Sequence, residues 1–459
     1  MDPLRYTATD SVSSPSSSSS LPIPFGRQMR LHFPFSSSYT PLNHGSFGTF
    51  PRVVQDERFR VLRAWEERES ISQRFTYPSQ LVASRAAVAP LLGVHTDEVV
   101  LIPNATTGVN TVLRNLRFEE GDVIVYPETI YGACLKTVQS LEETTPVRGV
   151  EIGYTYPIED DELVERVREG IAKLQGEGKR VRIAVWDTIA SRPGVRVPWE
   201  RVVAACRELG VLSLVDGAHA IGHLDMTETG KVKPDFLVTN CHKWLFNPRG
   251  SAVLYVPFEN QHLLSTAFPT SHGYLAPGLR AKTATNEYFT NLFYSGATVD
   301  VSTYMTIPTA LRFRKEFCGG EEAIRAYCAK LAKEGGDMVA NSLRTEVLDN
   351  RSGSLRAGTA FANVKLPVKV FLTETEERAH DGEGGVPLAE VERMLEWFYA
   401  IAAKDFDTYL QTFYYDGAIW TRLSAQVYLE MDDFVWAAGT LKEICVRVRA
   451  GEWKNYRRR

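Results

Sequence analysis

Three short stretches carry side chains whose types and spacing suit them to work together. Lys243 lies in Thr239-NCHKWLFNPRG, at the end of an apolar run and flanked by Cys241, His242, Trp244 and Phe246. Lysines are seldom buried. A desolvated one has a lowered pKa and becomes a nucleophilic amine able to form a Schiff base; the competing reading is a lysine snorkelling at a strand end. Asp216 ends a second apolar run, in Val215-DGAHAIG. A carboxylate held in a crevice needs a cation or several donors, whereas in isolation Asp-Gly reads as an ordinary turn. The third stretch, Asn104-ATTGVN, opens a helical pattern. Its free N–H groups and positive dipole end suit a phosphate, and the bland alternative is a common N-cap.

A phosphate turn, an aspartate and an amine-bearing lysine on three strand ends are what pyridoxal 5'-phosphate demands. The lysine takes the aldehyde, the carboxylate keeps the pyridine nitrogen protonated, and the helix end holds the phosphate. Tyr131 falls where a ring stacks on the cofactor, and His219, three residues past Asp216, where it donates to the phenolic oxygen.

Elements must bring these residues together, and between residues 80 and 256 short apolar runs alternate with amphipathic stretches. Strands are predicted at Glu98-VVLIP, Asp122-VIVYP, Val181-RIAVWD, Val211-LSLVD, Phe236-LVTN and Ser251-AVLYVP. Helices are predicted over Leu81–Leu92, Val109–Leu116, Asp161–Gln175 and Trp199–Glu208. Continuous Val/Ile/Leu strands alternating with helices mean an α/β unit with a mostly parallel sheet covered on both faces. Such sheets bind ligands at the carboxyl ends of their strands, where Asn104, Pro127-ETIY, Asp187, Asp216 and Asn240 all fall. After residue 300 helical patterns dominate (Ile307–Arg314, Glu321–Ala340, Leu388–Ala403). Short strands are predicted at Thr359–Leu366, Val368–Leu372 and Ile419–Ser424, with a glycine-rich loop, Asp381-GEGG, between. The expected organisation is a serine-rich lead without fixed structure over residues 1–25, a large α/β domain over 26–300 and a smaller C-terminal α+β domain over 301–459. The lead contains SVSSPSSSSS, which has nothing to bury that would offset its ordering entropy.

The three motifs resemble those of the class V aminotransferase family, from about Leu42 to Tyr428. Leu42-NHGSFGTFP, Ala190-SRPGV and Arg422-LSAQVYLE are similar to its isopenicillin N epimerase-like branch, including the fungal ergothioneine-pathway lyases. The resemblance implies pyridoxal-phosphate fold type I, with a seven-stranded sheet and active sites shared across a homodimer. It implies Lys243 as the Schiff-base lysine, Asp216 as the pyridinium partner, Tyr131 on the ring and His219 near the phenolic oxygen. Ala105, Thr106 and His242 would contact the phosphate with Asn240 nearby, and Arg422 would clamp the substrate α-carboxylate, as a planar guanidinium does bidentately. Asn43 and His44 belong to a segment folded over the substrate. One departure stands out. Family members commonly carry Gly-Thr-x-Asp where a neighbouring subunit touches the phosphate, whereas Ser295-GATVD puts Ala297 directly before Thr298.

Composition agrees with an enzyme of this kind. The 459 residues are 44% hydrophobic, with 52 basic against 56 acidic side chains for a net charge of -4. That balance lacks the basic surface of a nucleic-acid binder, and no apolar run is long enough to span a membrane. Six cysteines without a CxxC pair read as reduced thiols, so a cytoplasmic enzyme is expected. The resemblance implies a carbon–sulfur lyase on a cysteine S-conjugate or sulfoxide such as hercynylcysteine sulfoxide, yielding a sulfenate or thiol, pyruvate and ammonia. Alternatives on the same scaffold are epimerisation, transamination, carbon–carbon bond formation and cysteine desulfuration. Cys134, three residues from Tyr131, is a candidate thiol near the departing sulfur, against the plainer reading of a small apolar filler.

Overall fold

A computed structural model describes residues 22–294, 298–373, 375–376 and 384–457. Most of the serine-rich lead and most of the Asp381-GEGG loop therefore lie outside the described residues, as do Ser295, Gly296 and Ala297.

Seven strands form the main sheet: β1 Val99–Ile102, β2 Asp122–Pro127, β3 Arg148–Ile152, β4 Arg180–Asp187, β5 Leu212–Asp216, β6 Phe236–Asn240 and β7 Ala252–Tyr255. Their order is β1-β7-β6-β5-β4-β2-β3; β7 runs antiparallel to both neighbours and all other pairs are parallel. Side chains alternate between two cores, as the pleat requires. Ile183 and Val185 of β4 pack with Val109, Val112 and Val138 from helices Ala105–Asn115 and Gly132–Thr144. Ala184 and Trp186 pack with Leu163, Val167 and Val202 from helices Asp160–Gly176 and Trp199–Glu208. Six of the seven strands match the predicted apolar runs. The edge strand β3, Arg-Gly-Val-Glu-Ile, escapes that reading because only Ile152 is buried.

The C-terminal part holds β8 Phe361–Lys365, β9 Val370–Phe371, β10 Val386–Pro387, β11 Gln411–Tyr415 and β12 Ala418–Ser424. β11, β12 and β8 form an antiparallel sheet in which Arg422 of β12 sits between Gln411 and Asn363. Helices Glu321–Leu343, Val391–Phe406 and Met431–Arg449 cover it. The start of the described chain is tied to this part: the Ile23 amide donates to the Phe317 carbonyl (2.9 Å), and the Leu42 carbonyl accepts from the Ser424 amide (2.9 Å). Ile23 and Phe25 are thus half-buried against this part, while Pro22 and Pro24 are exposed. Phe25 even sets its ring 4.7 Å from that of Tyr327.

Candidate active site

Parallel pairing brings Asp187 and Asp216 opposite one another at the ends of β4 and β5, and both are buried. Two buried carboxyls side by side cannot both ionise cheaply. Asp216 accepts from the Ala218 amide (3.0 Å) and from the Cys134 thiol (3.4 Å), whereas Asp187, among the described residues, has only a contact with its own backbone amide. Burial raises both pKa values, and the Asp216 charge pushes Asp187 up further. Asp216, the one with donors at its carboxylate, is thus the better placed of the two to carry charge. Cys134 lies beneath Asp216 and is buried, and burial raises its thiol pKa, the Asp216 charge adding to it. This places Cys134 as a donor to the carboxyl and corrects the expectation of a thiol open to substrate sulfur.

Lys243 stands on the short turn Cys241–Trp244 that follows β6. Its half-buried amine is pulled down to about 8, burial being the main cause and Arg422 adding to it against the opposing pull of Asp216. Nζ lies 3.3 Å from Nε2 of His219, whose other ring nitrogen accepts from the Trp244 indole N–H at 3.2 Å. Burial keeps His219 neutral. Tyr131 immediately precedes helix Gly132–Thr144, is 45% exposed, and its carbonyl accepts from the Cys134 amide (2.8 Å).

At the N-terminus of helix Ala105–Asn115 the amides are largely spent. Asn104 caps the Thr107 amide (2.8 Å), and Asn240 accepts from the Ala105 amide (2.9 Å). Thr106 keeps a hydroxyl without a side-chain hydrogen bond among the described residues. His242 donates from Nδ1 to the Ser251 carbonyl (3.0 Å), leaving Nε2 unspent, and burial brings its pKa to about 4. Thr298 is exposed; Val299 beside it lines a small crevice with Pro103 and Thr107, near the same helix start.

Arg422 is 2% exposed. Its Nη1 donates to the Ser191 carbonyl (2.5 Å) and its Nη2 to Ser46 Oγ (3.1 Å), while Nε finds no partner among the described residues. The guanidinium lies 4.5 Å from the Phe361 ring centre. Burial and the nearby Arg192 lower its pKa to about 9. The Asn363 side chain grips both backbone groups of Gly194 (2.8 and 2.9 Å), which fixes the loop bearing Ser191. A Cβ at Gly194 would lie 2.6 Å from Arg422 Cδ, so glycine is what lets the loop close on the side chain. The Leu42-NHGSFGTFP segment supplies Ser46, which the motif contained but sequence reasoning passed over. Ser46 also donates to Asn43 Oδ1 (2.8 Å). His44 is turned the other way, into an aromatic core, its Nδ1 2.8 Å from the Tyr428 hydroxyl and its ring 5.0 Å from Trp244. His44 nonetheless borders, with Asn43, an open crevice also lined by Tyr409 and Arg249.

Residues 55–366 match the family described as Aminotransferase class-V. The chain belongs to the class V aminotransferase family. It is 36% identical, over 93% of its length and 97% of the relative's, to an L-cysteine desulfhydrase-like protein of Epichloe uncinata. It is 30% identical to the hercynylcysteine sulfoxide lyase of Schizosaccharomyces pombe, covering 92% of this chain and 98% of that one. Among solved structures, a C-DES mutant with glycine covalently linked to its pyridoxal-phosphate cofactor has the same fold, with a TM-score of 0.72 at 16% identity over 90% of this chain and 98% of the other. This class V chain is thus a pyridoxal-phosphate enzyme. Its residues fit the cofactor: a buried carboxylate with donors at a strand end, an amine beside a neutral imidazole, and an unspent hydroxyl at a helix start.

Proposed function

We propose that the protein is a carbon–sulfur β-lyase that cleaves a cysteine S-conjugate or sulfoxide, of the hercynylcysteine sulfoxide kind, to a sulfenate or thiol, pyruvate and ammonia. The observation that carries this reading is a buried, unpaired guanidinium, Arg422, near enough to the depressed-pKa amine Lys243 to act on its charge. Together they form a site for one carboxylate and one α-proton. Relatives named for cysteine C–S chemistry, matched over more than nine-tenths of the chain, point the same way.

In this reading Lys243 holds the cofactor covalently, Asp216 pairs with its ring nitrogen, Tyr131 covers its face, and His219 donates to its phenolic oxygen. Thr106, His242 and the turn at Ala105 receive the phosphate, with Asn240 fixing that turn and Thr298 serving at its edge. Pyridoxal phosphate, when bound, supplies the electron sink that acidifies the α-proton. Arg422 grips the α-carboxylate, with Ser46 and Ser191 holding the guanidinium and Asn43 holding Ser46. Lys243, once freed, takes the α-proton on Nζ, for which a pKa of about 8 is suitable. The C–S bond breaks with its electron pair leaving on sulfur. The remaining 2-aminoacrylate takes up water and gives pyruvate and ammonia.

Sulfur transfer to a protein cysteine is disfavoured because all six cysteines are buried. Those unpaired thiols support a cytoplasmic setting. We further propose a homodimer. Exposed Phe75 lines a cleft of about 870 Å³ together with Arg74, His272, Leu275 and Tyr294, the kind of partly apolar face a second copy covers. Offering the protein a panel of cysteine S-conjugates and sulfoxides tests the activity. Release of pyruvate supports it, and a product that keeps its C–S bond overturns it.

A further inference from the structure

Trp244 is buried, and its side chain is held on every side. His223 lies 4.0 Å from its ring centre at an interplanar angle of 34°, Phe361 stands edge-on at 5.3 Å, and His44 sits at 5.0 Å. His223 is itself fixed, because its Nε2 accepts from the Ala360 amide at 2.6 Å. The Trp244 carbonyl is anchored by buried Arg314 (2.8 Å). So braced, the indole N–H points at one atom, Nδ1 of His219 (3.2 Å).

An indole N–H only donates, so Nδ1 of His219 must accept. A neutral imidazole carries one proton, and with Nδ1 accepting, that proton is on Nε2. We propose that Trp244 is a positioning residue that sets the His219 tautomer, so that Nε2–H is presented as a donor to Lys243 and to whatever atom takes that amine's place. The proposal rests on the reading of Lys243 as the covalent anchor. Its consequence for Lys243 is electrostatic. An ammonium has three donors and no acceptor, so a fixed Nε2–H at 3.3 Å opposes the charged amine and favours the neutral one, which accepts. The same N–H is the one a phenolic oxygen of the cofactor would meet.

Other charges also act on this pair. Lys243 feels Asp216 and Asp187 from the ends of β5 and β4, Cys134 from its helix and Arg422 from β12. His219 feels Arg422, His223 and His242 as well. None of these groups is itself altered by Trp244→Phe, which removes the indole N–H together with part of the ring.

The first test uses the wild-type apo-protein labelled with ¹⁵N-histidine, with His219→Gln to assign the signal. His219 is expected to show a bare Nδ1 and a protonated Nε2 from pH 6 to 9. A proton on Nδ1, or an even mixture, overturns the proposal whatever any variant does. The second follows the rate at which apo-protein takes up pyridoxal 5'-phosphate into a hydride-reducible linkage as pH is varied. In Trp244→Phe, His219 is free to bare Nε2 and accept from the ammonium, so the midpoint should rise by about one pH unit. Mapping the reduced peptide separates the two ideas. An adduct away from Lys243 in wild type defeats the site reading. An adduct on Lys243 in both proteins, with tautomer and midpoint unchanged in a folded Trp244→Phe, defeats the role of Trp244 alone.

Discussion

Replacing Arg422 by methionine separates a binding role from a structural one, because the two predict opposite signs. The guanidinium is buried, has one N–H without a partner, and pairs with no carboxylate among the described residues. At pH 7, below its lowered pKa of about 9 and further below the ordinary arginine value, the penalty for burying the charge is present in full, about 5 kcal/mol. Methionine fills similar space without charge. It forfeits the bonds to Ser191 and Ser46, about 1 kcal/mol each. The apo-protein should therefore gain about 1–3 kcal/mol of stability, as happens when an uncompensated buried charge is removed. Affinity for an amino-acid carboxylate should fall by about 2–4 kcal/mol, roughly 30- to 1000-fold. Urea melts of the apo-protein and spectral titration of the holoenzyme with a slow amino-acid inhibitor measure both. A variant less stable than wild type by 2 kcal/mol or more (about that size marks lost structure), with ligand affinity intact, would refute the carboxylate clamp.

Three further outcomes follow from the same geometry. Apo Lys243→Met should exceed wild type in stability by up to about 3 kcal/mol at pH 7. The folded amine sheds its proton near 8 and the unfolded one near 10.5, so the gap should close between those values in urea melts run as a pH series. Gly48→Ala should lose about 2–4 kcal/mol in the same melts, because φ is +64° there and a Cβ would overlap the His242 carbonyl behind Lys243. Cys134, buried and with its thiol pKa raised, should resist iodoacetamide in the native protein and react only on unfolding, as read by peptide mass.

The central strands and the reactive residues at their ends were legible because each ends an apolar run on a polar residue. Asp216 and Lys243 needed no distant information to be singled out. What surrounds them did. Ser46 and Arg422 meet across 376 residues, and Asn363 reaches Gly194 across 169, so neither contact leaves a local pattern. Trp244 reads as an apolar neighbour of the lysine, and only its indole direction reveals a tie to His219. The conspicuous Asn-His pair splits in a way the sequence does not show, Asn43 toward Ser46 and His44 toward the Tyr428 hydroxyl. The Asp187–Asp216 pairing depends on sheet register, which spacing along the chain does not specify.

The most direct test of the proposed activity is a balance of products. Holoenzyme is given a cysteine sulfoxide conjugate, with Lys243→Ala as control, and pyruvate, ammonia and the released sulfur species are measured together. The account predicts all three in equal amounts from wild type and none from the variant. Substrate that returns epimerised, deaminated with its C–S bond intact, or converted to alanine would contradict it.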